Sequence, residues 1–279
     1  MKQLYDNYSH QASAQVTRTY STSFYAGVRC LDKKIRRDIH AIYGLVRFAD
    51  EIVDSFHGFD KATLLAEFKR ETYLAIERGI SLNPILQSFQ ECVNKYQIDH
   101  QLIEQFFKSM EMDLSRSEHT QESYNTYIFG SAEVVGLMCL KVFVYGDQAS
   151  FERLTPYARK LGSAFQKINF LRDLKDDVDG LGRVYFPNIA SVSNISLEEK
   201  LEIEKEIESE FREAYQGIIQ LPKSSRFGVY LSYVYYTKLL RQIKRKTIHD
   251  LMQQRISVSS KTKWFLFFKS YFLNSINYV

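Results

Sequence analysis

Hydrophobic residues recur at three- and four-residue spacings along almost the whole chain, and clear strand alternation is absent. The pattern predicts an all-α fold. Asp32 is placed to cap a helix carrying Ile35, Ile39, Ile42, Tyr43 and Val46 towards Asp54, with Gly58 marking a connection over Ser55–Asp60. Leu64–Arg78 reads as a helix ended by Gly79, and Asn83-Pro84 opens another, proline being at home in a first turn. Asp99–Leu114 follows. The apolar run Tyr124–Tyr145 contains small residues and should stop at Gly146. Thr155-Pro156 is expected to open the helix that carries Gln166 to Asp177, with a loop at Asp179–Pro187 behind it. Leu197–Ile219 and Arg226–Gln254 complete the set. No repeat, low-complexity tract or linker divides the chain, so one domain over residues 1–279 is expected.

Composition changes this picture little. Only 12 glycines and 4 prolines occur in 279 residues, in keeping with long helices and short connections. A net charge of +4, spread along the chain, excludes a dedicated nucleic-acid binder. The 19 tyrosines and 20 phenylalanines fit either a bulky core or an apolar cavity rich in aromatic quadrupoles. Cys30, Cys92 and Cys139 are scattered and odd in number, which reads as reduced thiols in a cytoplasmic protein. The N-terminus has no apolar signal core, and no run approaches the roughly 20 apolar residues of a membrane span.

Two polar stripes carry the candidate chemistry. Asp50 and Asp54 stand one turn apart on a helix, about 6 Å from each other, and repel unless a cation intervenes. Tyr43 and Arg47 share their stripe. The second is Gln166, Asn169, Asp173 and Asp177, which fall within about 80° on one helix, with Arg172 beside them and apolar Leu161, Phe165, Ile168, Phe170 and Leu171 around them. Alone, each also reads as a solvated helix end with ordinary ion pairs. Together, they offer the hard oxygen ligands that suit Mg²⁺ around a diphosphate. Arg47, Arg172 and Arg255 would neutralise remaining charge, and the segment with Gly180, Gly182 and Arg183 could close over the site. No metalloprotease, P-loop or nucleophile-elbow motif occurs, and the glycines of Gly130–Gly136 sit within a helical run, where close packing or a kink explains them.

These segments resemble the squalene/phytoene synthase family from Tyr20 to about Tyr271. The resemblance is carried by YSTSF (Tyr20–Phe24), AIYGLVRFADEIVD (Ala41–Asp54), YIFGSAEVVGLM (Tyr127–Met138) and GSAFQKINFLRDLKDDVDGLGRVYFP (Gly162–Pro187). It implies an isoprenoid-synthase-type helical bundle around a central cavity. It implies Mg²⁺, with Mn²⁺ as an alternative, at Asp50, Asp54, Asn169, Asp173 and Asp177. It implies diphosphate contacts from Ser21, Ser23, Tyr43, Arg47, Gln166, Arg172, Tyr236 and Arg255, and a prenyl cavity lined by Phe24, Tyr127, Val134 and Val135. The implied reaction joins two prenyl diphosphates head to head through a cyclopropyl diphosphate. Diphosphate itself or Tyr127 would take the proton.

The pattern, with RISVS at Arg255–Ser259, looks most like the bacterial phytoene synthases, which use geranylgeranyl diphosphate without NADPH. Farnesyl diphosphate, as in dehydrosqualene or squalene synthases, is the alternative. A non-catalytic assembly protein of the same fold is a lesser one, since such members tend to lose the aspartates. Glu133 departs from the small residue common in relatives, and Glu51 stands where Asp is common. The aromatic, lysine-bearing tail from Trp264 reads either as a docking element for the inner membrane face or as a last helix packed on the core.

Overall fold

A computed structural model describes residues 1–115, 119–181, 183, 185–187 and 195–275, with the side chains of 178, 179, 181 and 273–275 not among them. The described residues form helices and no strands. In order they are α1 (Lys2–Tyr20), α2 (Thr22–Arg29), α3 (Lys33–Ser55), α4 (Lys61–Arg78), α5 (Pro84–Tyr96), α6 (His100–Ser115), α7 (Gln121–Ile128), α8 (Val134–Phe143), α9 (Gln148–Arg172), α10 (Leu174–Leu181), α11 (Leu197–Ile218), α12 (Lys223–Ile243), α13 (Ile248–Gln253) and α14 (Ser260–Ser275).

Local chemistry sets many of these limits. The Asp32 side chain accepts from the Lys34 N–H at 2.8 Å and starts α3. Asn83 caps α5 with Pro84 in its first turn. Gly79 ends α4 in the left-handed region at φ 67°, where a β-carbon would be strained. Ser21 was expected to serve only a ligand, yet it also caps α2, accepting from the Phe24 N–H at 3.3 Å.

Four boundaries differ from expectation. α9 starts at Gln148, capped by Asp147, and absorbs Pro156 on an exposed face, while the Thr155 hydroxyl donates to the Phe151 carbonyl at 2.8 Å. The helix bends at Asp173 before α10 resumes, so the second polar stripe spans two segments. α10 runs through Asp179 to Leu181, which the sequence had suggested was loop; Gly182 and Val184 of that stretch lie outside the described residues. The expected helix Arg226–Gln254 begins earlier, at Lys223, and divides at Lys244–Lys246, where a capping box of Thr247 and Asp250 starts α13 afresh.

Between α7 and α8, Phe129–Glu133 forms a π-helical turn. Gly130 permits it: a β-carbon there would lie 2.5 Å from the Gln105 carbonyl oxygen of α6. The run Gln121–Phe143 is, contrary to expectation, long and apolar enough to cross a membrane by length and composition. It packs inside the bundle against α3, α6 and α9. Three cores of buried side chains surround it, the largest joining α3 to α6 through Phe89, Phe106 and Phe107.

Candidate active site

Ile39, Ile42, Tyr43, Val46, Arg47 and Asp50 line a cavity of about 510 Å³ from α3. Their three- and four-residue spacing is one face of the helix. A matching stripe of α9 runs Leu154, Tyr157, Ala158, Leu161, Gly162, Phe165, Gln166, Asn169, Arg172 and Asp173. Both stripes are apolar at their N-terminal ends and polar at their C-terminal ends. The cavity therefore has a polar mouth, to which Ser21, Tyr236 and Arg255 also contribute, and an apolar floor.

Four aspartates converge at the mouth. Burial, then the neighbouring charge of Asp54, pushes Asp50 up to about 7. Burial, then Asp173 and Asp54, pushes Asp177 up to about 8. Asp54 and Asp177 lie outside the cavity lining but face this shared space. Asp173 is satisfied differently: Arg172 Nε donates to it at 2.8 Å and Arg255 Nε at 2.7 Å. Asp54 accepts from Arg183 Nη1 at 2.7 Å. Among the described residues no three His, Cys, Asp or Glu side chains form a preformed metal cluster.

Beneath the acids sit the expected diphosphate contacts. Tyr236 donates to Asn169 Oδ1 at 3.1 Å, and Asn169 donates to Gln166 at 3.4 Å. Arg47 pairs with Glu51 under the Tyr20 ring, yet its Nε is buried with no hydrogen-bond partner. An unmet guanidinium donor at a cavity wall is costly unless an anion uses it. Phe24 stacks on Tyr43 at 5.0 Å, and burial raises the Tyr43 hydroxyl to about 12.

Two expected residues are misplaced. Val134 is fully buried in the α3–α6 core; the π-helical turn shifts the register, so Ser131, Ala132 and Val135 line the cavity. Ser23 is not among the lining residues either, because the α2 face towards the cavity carries Phe24, Gly27 and Val28. Glu133 turns away and accepts from Arg159 Nε at 2.5 Å.

Asp113 is the functional residue that sequence reasoning missed. It is buried on α6, and desolvation raises it to about 7 despite Arg183 nearby. Tyr127, whose ring lines the cavity, donates to it at 2.8 Å, and Tyr185 donates at 3.4 Å. Arg183 sits between Asp113 and Asp54 and also donates to the Val53 and Asp113 carbonyls. Asp113 has no acidic partner at helical spacing on its cavity side, and that is why the stripe search passed over it.

The family model described as squalene/phytoene synthase matches residues 17–199. The chain belongs to the squalene/phytoene synthase family. Phytoene synthase of Arthrospira platensis is 25% identical, with 91% of this chain and 90% of that protein aligned. The chloroplastic phytoene synthase of an Oncidium hybrid is 29% identical over 89% of this chain, which spans 64% of that longer relative. A crystal structure of a dehydrosqualene synthase superposes with a TM-score of 0.83 at 19% identity, covering 98% of this chain and 99% of that one. That last likeness establishes the family's all-α isoprenoid-synthase fold.

Proposed function

We propose that this family member condenses two molecules of geranylgeranyl diphosphate head to head to phytoene, a step of carotenoid biosynthesis. The observation that carries the reading is one long apolar cavity whose mouth gathers two aspartate-bearing helices, three arginines and an unmet guanidinium donor. Depth favours the twenty-carbon substrate. Leu154 lies fifteen residues before Asn169 on α9, about 22 Å along the axis. An extended five-carbon unit measures roughly 5 Å from its bond lengths, so four units fill that depth and three leave it short.

The mouth fits Mg²⁺. Its donors are hard oxygens, and ionising Asp50 and Asp177 is disfavoured until a cation arrives. Asp50, Asp54, Asn169, Asp173 and Asp177 would hold the ions, completed by water and diphosphate, which accounts for the lack of a closed protein cage. Bound Mg²⁺ supplies electrophilic assistance to diphosphate departure. Arg47, Arg172, Arg255 and Tyr236 bind and orient the diphosphate. The C–O bond of one substrate breaks, the second substrate's double bond attacks, and a proton leaves to close the cyclopropane. A second ionisation, rearrangement and proton loss give the triene. Phe24, Tyr43 and Phe165 line the cavity as two stacked aromatic pairs, Phe24 on Tyr43 and Phe165 on Tyr236, beside the cationic carbon chain. Tyr127, passing its own hydroxyl proton to the Asp113 carboxylate, or the released diphosphate takes the proton. The site needs no nicotinamide for this outcome.

Purified protein with Mg²⁺ is given farnesyl or geranylgeranyl diphosphate, with and without NADPH, and the hydrocarbon is identified by mass. Phytoene from the twenty-carbon substrate, indifferent to NADPH, is expected. A thirty-carbon product would move the reading to dehydrosqualene or squalene synthesis, and no product from either would favour a non-catalytic assembly role.

α14 supports a peripheral membrane contact as part of this reading. It packs on α12 through Phe267 and Tyr271 against Phe227. Trp264, Phe265, Phe268, Tyr271 and Phe272 are exposed, with Lys261, Lys263 and Lys269 and no acid on the helix. The helix thus has an edge packed on α12 and an exposed aromatic, lysine-bearing surface that supports a membrane contact. Phe265→Glu/Phe268→Glu is expected to abolish flotation with anionic liposomes, and undiminished flotation would remove the membrane contact.

A further inference from the structure

The floor of the cavity is built as specifically as its mouth. Leu154 and Tyr157 come from the early turns of α9, Phe143 from the end of α8 and Leu221 from the turn between α11 and α12. Leu154 is fully buried in the core formed with Leu140, Ile218 and Val229, so it has no room to retreat. Tyr157 is fixed from behind. A β-carbon on Gly217 of α11 would fall 2.3 Å from Tyr157 Cβ and 2.8 Å from its Cγ. The α11 backbone is thus seated directly on this side chain, and the absence of a side chain at position 217 is what lets the ring stand where it does.

Just above the floor the α9 stripe narrows to two small residues, Ala158 and Gly162. Their size is used by the neighbouring helix. A β-carbon on Gly162 would lie 2.8 Å from the Ala132 carbonyl oxygen, and one on Gly136 would lie 3.2 Å from that of Ala158. α8 therefore approaches α9 at close range here, and the small Ala158 side chain keeps this part of the cavity wall low. Ala158 is eleven residues before Asn169, about 16 Å along the helix, and Tyr157 is about 18 Å away. A three-unit prenyl chain of roughly 15 Å ends above Ala158, whereas a four-unit chain of roughly 20 Å runs past it and ends against the floor formed by Tyr157 and Leu154, about 18 to 22 Å from Asn169.

We propose that Tyr157, seated on Gly217 and flanked by Leu154, is the chain-length stop of this enzyme, and that Ala158 keeps open the space for the fourth isoprene unit. The inference rests on the prenyl diphosphate reading of the site. Neither residue touches the diphosphate or the reacting carbons, so their substitution changes which chain fits and leaves the chemistry at the mouth in place.

The test compares wild type, Tyr157→Ala and Ala158→Leu with prenyl diphosphates of fifteen, twenty and twenty-five carbons. Both kcat/KM and the thermal midpoint shift given by the matching unreactive thiolodiphosphates with Mg²⁺ are measured. Ala158→Leu is expected to lower the preference for twenty over fifteen carbons by about tenfold or more, the scale of one or two methylenes excluded from an apolar pocket. Tyr157→Ala is expected to raise the preference for twenty-five over twenty carbons by a similar factor. A variant that loses all three lengths in proportion, or retains the wild-type order, overturns the assignment. The thiolodiphosphate shifts keep that comparison readable in a variant that turns over slowly. Wild-type protein that neither binds nor converts any of the three overturns the prenyl reading itself, a different failure from unchanged preference in an active enzyme.

Discussion

The two aspartate pairs differ in how the fold treats them. Asp50 and Asp54 stand on one uninterrupted helix, whereas Asp173 and Asp177 flank a bend. Each pair nevertheless has one member held by arginine and one without an ion pair among the described residues. Arg183 holds Asp54, and Arg172 with Arg255 holds Asp173. Asp50 and Asp177 are left without such a partner, and burial together with the carboxylates they face raises both. A motif spelled twice in the sequence thus yields two kinds of carboxylate. The arginine-held members fix the geometry of the mouth. Ionising the unpaired members sets up a repulsion that a bound proton or an incoming cation relieves.

The largest effect expected from this contrast is on turnover. Asp50→Asn and Asp173→Asn should each lower kcat by about 10³-fold or more, since both remove charge at the diphosphate end of the cavity. Their effects on stability should have opposite signs. Near pH 8.5, Asp50→Asn removes an unpaired buried charge and should raise the ligand-free melting temperature. Asp173→Asn strands Arg172 and Arg255 and should lower it, at a cost of about 1–2 kcal/mol for a half-buried cluster. Circular-dichroism melts with product assays distinguish the two. Turnover retained in either variant would refute the assignment, and equal shifts in melting temperature would erase the distinction.

How much of this was legible beforehand follows from what periodicity records. Helical spacing reports which residues share a face, so the α3 stripe from Tyr43 to Asp50 and the α9 stripe from Gln166 to Asp173 could be read directly. It does not report a π-helical turn, whose extra residue moved Val134 into the core and left Val135 at the wall. Proline propensity pointed to a helix start at Pro156, but Asp147 supplied a better cap nine residues upstream and the exposed face tolerated the missing N–H. Asp113 is the more instructive case. Its partners, Tyr127, Arg183 and Tyr185, lie fourteen or more residues away. No local pattern encodes that meeting, which the packing of α6 against α7 and the segment after α10 creates. Arg183 was expected in a closing segment, and it is buried between Asp54 and Asp113.

The smallest effect, and the most direct on the unpaired members, is the pH dependence of stability without ligand. Asp50 and Asp113 at about 7 and Asp177 at about 8 lie above their ordinary value of 3.8, so the folded state binds more protons than the unfolded chain between those limits. Their contribution is fully present below about 4 and is lost as pH rises through 7 to 8. Between pH 6 and 9 the ligand-free melting temperature should therefore fall by a few degrees. His40, lowered to about 4, acts in the opposite sense but mainly below about 6.5, outside most of that window. Mg²⁺ with inorganic diphosphate should flatten the decline, because it binds the ionised carboxylates and its affinity grows as they lose their protons. Asp50→Asn should flatten it in part without any metal, and Asp54→Asn, which removes a charge facing both Asp50 and Asp177, should flatten it less, since burial is the larger cause of both shifts. A ligand-free melting temperature that holds level from pH 6 to 9 would mean that Asp50 and Asp177 are already ionised and stabilised, and the division of each pair into a held and an unpaired member would fall.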